Sequence, residues 1–160
     1  MPVHRLVTST TLPLQRDQVF AFFADARNLQ RITPSELQFE IVTPEPIQIR
    51  QGTLIEYRLR LFGVPFRWQT EIALWRPPHE FVDVQLHGPY RLWEHTHHFH
   101  DHVAGTTIED VVRYQLPLAP LGELAHPLVR LRLNHIFQFR ERAVRCWVST
   151  QQALPPAGAS

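Results

Sequence analysis

As far as Tyr114 the apolar residues recur mostly with period two, and beyond it they recur with the period of a helix. Val3 to Thr10 alternate as a strand closed by Leu12-Pro13. Gln15 to Ala24 carries Val19, Phe20, Phe22 and Phe23 at spacings that predict a short helix with one apolar side, broken at Asp25. Ala26 to Ile32 predicts a second short helix, ending before Pro34. Leu37, Phe39 and Ile41 alternate as a second strand, and the proline-rich TPEPIQIRQG connects onward. In the hairpin that follows, Ile55, Tyr57, Leu59 and Leu61 share one face, as do Phe66, Trp68, Thr70 and Ile72. Pairing Leu61 with Phe66 keeps both sets on the same side and puts Trp75 on the opposite one.

The stretch from Phe81 to Tyr114 reads as three more strands, turning at Gly88-Pro89 and near Gly105. Trp93, His95, His97 and Phe99 share a face of the middle strand; Thr106, Ile108, Asp110, Val112 and Tyr114 share a face of the next. Pairing Phe99 with Thr106 across a six-residue tip would set His95 opposite Asp110. In the strand from Phe81 to His87, hydropathy alone turns Val82 and Val84 inward. A three-residue loop Gly88-Pro89-Tyr90 instead pairs Asp83 with His95 and turns Asp83 and Gln85 inward, and this odd loop is the expectation. Pro127 to Val148 then predicts a long helix. Arg130, Asn134, Gln138, Glu141 and Arg145 form its wet side; Val129, Arg132, Ile136, Phe139, Ala143 and Trp147 form the opposite one. Arg132 thus falls near the middle of the apolar stripe and Arg140 on its flank.

The order of elements gives an α+β fold: a seven-stranded antiparallel sheet wrapped round a long C-terminal helix, with two short helices after the first strand. Residues 1–148 form one domain, and 149–160, rich in Gln, Ala, Pro and Gly, are expected to be a disordered tail. The blocks GPYRLWEHTHHF, GTTIEDVVRYQLP and IFQFRERA resemble those of a bacterial branch of the START/Bet v 1-like superfamily, also called SRPBCC or polyketide cyclase/dehydrase-like. The resemblance covers about residues 3 to 148. It implies a helix-grip fold and binding of a lipid, sterol, quinone or polyketide between sheet and helix. Some members are cyclases or dehydratases, but no catalytic residue is shared across the superfamily.

Composition narrows the chemistry. All 16 basic residues are Arg, and the absence of Lys excludes Schiff-base chemistry and a phosphate-loop lysine. The single cysteine, Cys146, excludes an internal disulfide and a multi-cysteine zinc site. A net charge of +1 selects no partner. The start MPVHRLVTST has no apolar signal core, so a cytoplasmic protein without stable membrane insertion is expected. The arginines of the last helix read as a solvated face, so no nucleic-acid partner is expected. No G-x-S-x-G motif occurs.

Asp83, His95 and Asp110 form a row across three strands. They are either an acid/base group or a buried network that satisfies itself, with Arg132 or Arg140 reaching down from the helix. His95, His97 and Asp110 could supply three metal ligands, but no fourth declares itself, and no resident metal or other cofactor is expected. His98, His100 and His102 lie on the outer face or tip. The expected site takes a small hydrophobic or aromatic molecule with a polar end. Tyr57, Trp68, Trp93 and Tyr114 supply apolar contact; Asp83, His95, His97, Asp110 and Arg132 orient the polar end. Arg132 is expected to pair with Asp110 or Asp83. The rival is an enzyme with His95 as general base and Tyr114 or Asp110 as donor; a third reading is an interaction module with a closed core.

Overall fold

The computed structural model describes residues 2–153. The sheet has seven strands in the order β1-β7-β6-β5-β4-β3-β2: β1 (His4–Leu12), β2 (Glu40–Ile41), β3 (Leu54–Leu61), β4 (Val64–Arg76), β5 (Glu80–His87), β6 (Leu92–His102) and β7 (Gly105–Gln115). Helices α1 (Arg16–Phe23) and α2 (Ala26–Arg31) follow β1; α3 (Leu121–Leu124) and α4 (His126–Ala153) follow β7. Asp25, which ends α1, caps α2 by accepting a hydrogen bond from the Arg27 backbone N–H at 3.0 Å. α4 runs on to Ala153, past the expected stop near Val148, and the rest of the expected tail, residues 154–160, lies outside the described residues.

Alternation sets the faces as expected. Trp93, His95, His97 and Phe99 are buried on β6, and Thr106, Ile108, Asp110, Val112 and Tyr114 on β7. Asp83 pairs with His95 and turns inward, so the odd loop after β5 holds. Gln85 fastens it by donating from Nε2 to the Tyr90 carbonyl at 2.6 Å, and a Cβ at Gly88 would strike that glutamine side chain.

Four local expectations differ. The β6–β7 tip is a two-residue turn between His102 and Gly105, so His97, not His95, stands opposite Asp110. The strands continue through a polar, histidine-rich segment whose hydropathy does not alternate. The β3–β4 turn is also tighter: Leu61 pairs with Val64 about Phe62 and Gly63, whose φ values of 51° and 78° fit a twisted two-residue hairpin. Phe is an unusual residue there, which hides the turn from sequence. Both changes shift register by an even number of residues, so the inward faces survive. Parity does break in β4, where a bulge between Ile72 and Leu74 carries Trp75 round to pair with Phe81, against Phe20 and Phe81 on the inner side. Finally, the strand expected from Leu37 to Ile41 is a 3-10 turn, Ser35–Leu37, and the two residues of β2.

α4 is rotated by about one residue from its expected setting, which is about 100°. Its buried positions are Leu133, Phe137, Val144 and Val148. Arg140 falls within that row, by the helical spacing of 133, 137, 140, 144 and 148. The expected stripe and the observed one are both apolar, so the moment alone points between them.

Candidate functional site

Between the sheet and α4 lies a recess of about 200 Å³. Its walls are aromatic and aliphatic: Tyr57 from β3, Trp68 from β4, Trp93 from β6, and Leu133 and Phe137 from α4. Trp68 and Trp93 meet edge to face, ring centres 5.2 Å apart. The remaining side is flanked by α2 and the 3-10 turn, where Glu36 accepts from His135 Nε2 at 2.8 Å and lies 3.6 Å from Arg132 Nη1.

One end of the recess is polar. Asp83, His95, His97 and Arg140 line it, with Asp110 directly behind. His95 Nε2–H donates to Asp110 Oδ1 at 2.9 Å, and His97 Nδ1 lies 3.0 Å from the same oxygen. His97 Nε2–H donates to Asp83 Oδ2 at 2.7 Å. The Arg140 guanidinium stands 3.5 Å from Asp110 Oδ1 and 3.3 Å from His97 Nδ1. Burial alone would raise both carboxyls. The Arg140 charge and the two imidazole bonds nevertheless hold Asp110 well below the usual carboxylate range, and the His97 bond lowers Asp83.

The histidines separate in the opposite senses. Burial pushes His95 below the usual histidine range, and neighbouring His97 adds to the push. Burial opposes charge on His97 too, but its bonds to Asp110 and Asp83 outweigh that and raise it. Of the two, His97 is therefore the histidine with the raised proton affinity, lying 2.7 Å from Asp83 and 3.0 Å from Asp110. His95 has the lowered one, with its Nδ1 3.9 Å from Asp83 Oδ2.

Of the residues expected at the site, Tyr57, Trp68, Asp83, Trp93, His95 and His97 line the recess. Asp110 does not; it faces a second recess toward β1 and shares Phe137 and Arg140 with the first as a partition. Tyr114 is buried with its hydroxyl 3.2 Å from His126 Nε2, away from the polar end. Arg132 is corrected outright. It approaches Glu36, not Asp83 or Asp110, because the rotation of α4 gives the inward position to Arg140. Arg140 was legible only as a charge on the flank of the stripe. Leu133 and the contacts of Glu36 with His135 and Arg132 carried no sequence signal that marked them.

No protein-family model matches the chain, and no curated protein does. Solved structures match it over nearly their whole length. The Zhui aromatase/cyclase from Streptomyces sp. R1128 superposes with a TM-score of 0.76 at 14% identity, covering 99% of this chain and 100% of that one. TTHA0849 from Thermus thermophilus gives 0.71 at 18%, covering 94% and 99%. Ginseng major latex-like protein 151 from Panax ginseng gives 0.63 at 12%, covering 90% and 96%. At these identities the likeness is one of fold, and the fold is the helix-grip fold.

Proposed function

We propose that the chain binds a small apolar or aromatic molecule bearing one hydrogen-bonding polar end, held in the recess between the sheet and α4. The observation that carries this reading is the asymmetry of the recess: aromatic walls with polar groups converging at one end. Size limits the ligand. A cavity of roughly 150 Å³ holds benzene, so about 200 Å³ suits a molecule of one or two rings. His95 Nδ1 and Asp83 both accept hydrogen bonds, so the polar end is a donor such as a hydroxyl. 2-Naphthol is a suitable probe. It is expected to bind once per chain in metal-free protein and to quench tryptophan emission. Trp93→Ala should weaken binding, and Trp147→Phe, outside the recess lining, should not. 2-Methylnaphthalene, without the donor, should bind roughly tenfold more weakly. Equal affinity for the two compounds would remove the polar end from the account; equal loss in the two variants would remove the recess.

A catalytic reading is favoured by His95, which lines the recess with a lowered proton affinity and an Nδ1 that makes no close contact to Asp83. The fold match to an aromatase/cyclase is compatible with it. Its acid would be His97, since Tyr114 bonds to His126 and Asp110 is held ionised. Recovery of a chemically altered ligand would favour the enzyme; recovery of the same molecule favours binding. An interaction module with a closed core is disfavoured by the recess itself.

A further inference from the structure

We infer that the polar end of the recess is a binding site for a first-row divalent transition cation, with Asp83, His95 and His97 as its ligands. This deepens the binding reading of the same recess but stands on separate observations. One donor atom from each of the three residues lies within 4.8 Å of the others. His97 Nε2 and His95 Nδ1 are 2.7 and 3.9 Å from Asp83 Oδ2. Ligands about 2.1 Å from a tetrahedral metal stand about 3.4 Å apart. The observed separations bracket that value, so small rotamer adjustments suffice.

The second observation is Asp110. Sequence pairing made it a ligand, which left the set without an orienting group. In the structure it stands behind both imidazoles, accepting from His95 Nε2 and placing the same oxygen 3.0 Å from His97 Nδ1. The first bond leaves His95 Nδ1 as the coordinating nitrogen, and the same oxygen is within reach of the Nδ1–H of a His97 that coordinates through Nε2, which is how outer carboxylates orient metal-bound histidines. Arg140 approaches Asp110 from behind the donor set, its Nη2 3.5 Å from Asp110 Oδ1.

The third is an unfilled bond. His95 Nδ1 has no hydrogen-bond partner among the described residues, since Asp83 at 3.9 Å is too distant. Coordination would fill that lone pair. The cation takes the place of the proton now between His97 and Asp83, and that proton leaves to solvent. Three protein ligands on one side of the ion leave its other positions open on the aromatic recess. The ligand class that follows is an aromatic or apolar molecule with an anionic oxygen donor: a carboxylate, phenolate or enolate.

The test uses chelator-stripped protein in which His98, His100 and His102 of the tip are replaced by Gln, so that surface imidazoles are not counted. Equilibrium dialysis with Zn²⁺ or Co²⁺ alone is expected to give one ion per chain. X-ray absorption of the cobalt form should show two imidazole ligands. Asp83→Asn and His95→Gln should each abolish stoichiometric binding, and Asp110→Asn should weaken it by about 10–100-fold. No stoichiometric uptake by the tip-substituted parent, whose ligands are all intact, would overturn the site without reference to any variant's folding. So would undiminished uptake in Asp83→Asn. Retention of 2-naphthol binding in that event would show that the recess binds organic molecules without a cation.

Discussion

The inner face of the sheet has two ends, built from the same alternation and covered by the same helix, and they differ in what lies on them. At one end α1 inserts Val19, Phe20 and Phe22 against Phe81, Phe99, Ile108, Val144 and Val148. Phe20 and Phe99 meet with ring centres 5.0 Å apart, and Val19 and Leu12 are wholly buried. At the other end Tyr57, Trp68, Trp93, Leu133 and Phe137 face one another, α2 brings up no apolar side chains but Ala26 and Leu29, and the recess remains. β6 passes through both, Trp93 at the open end and Phe99 at the closed one, with His95 and His97 between. His97 stacks on Phe81 at 4.0 Å and His95 meets Phe137 edge-on at 5.5 Å. The charged group thus sits at the boundary between a packed core and a recess. An inward aromatic becomes core or lining according to the element placed over it.

The largest effect is expected from damage to the closed end. Phe99→Ala should cost about 3–5 kcal/mol in urea unfolding, because it opens a void among close-packed rings. Trp68→Ala enlarges space that already exists and should cost about 1–2 kcal/mol less, while weakening 2-naphthol binding. Equal costs would mean that the two ends are packed alike. At the boundary, Arg140→Met should cost about 3 kcal/mol by stranding the Asp110 carboxylate. Arg132→Met should stay within about 1 kcal/mol, since its partner Glu36 is half exposed. The reverse order would restore Arg132 to the inward position.

The smallest effect lies at the rim of the open end. His126 stacks on His4 at 3.6 Å and bonds to the Tyr114 hydroxyl, with Glu123 and Arg130 nearby. Burial, then the charge of His4, lowers its affinity for a proton. A folded-state pKa below the unfolded one means that the unfolded chain takes up the proton more readily. This contribution is therefore complete above the unfolded value of about 6.5 and is lost as pH falls through the folded one. Thermal melts of His126→Gln should fall less steeply than the parent below about pH 6.5. A steeper fall would reverse the sign.

How much of this was legible in the sequence divides along the same lines. Parity was legible: alternation alone put Trp93, His95, His97, Phe99 and Asp110 on the inner face, and the odd loop put Asp83 with them. Register was not, because the His100–His102 segment and Phe62 give no hydropathic sign of a tight turn. The bulge that turns Trp75 inward leaves no mark in composition. The setting of α4 failed for a different reason. Its apolar arc is broad, and only the sheet beneath it selects Arg140 over Arg132. The chemistry of the site followed from those errors, since the placement of Asp110 relative to the two imidazoles depends on a register shift of two residues.

The most direct test of the two-ended face is the indole N–H spectrum of the four tryptophans during titration with 2-naphthol. Trp68 and Trp93 line the recess, Trp75 packs on Phe20 and Phe81, and Trp147 packs on Phe22 with ring centres 4.1 Å apart. The account predicts saturable shifts of Trp68 and Trp93 at one equivalent, with Trp75 and Trp147 unmoved. Shifts of Trp75 and Trp147 as large as those of Trp68 and Trp93, or no saturation at all, would contradict it.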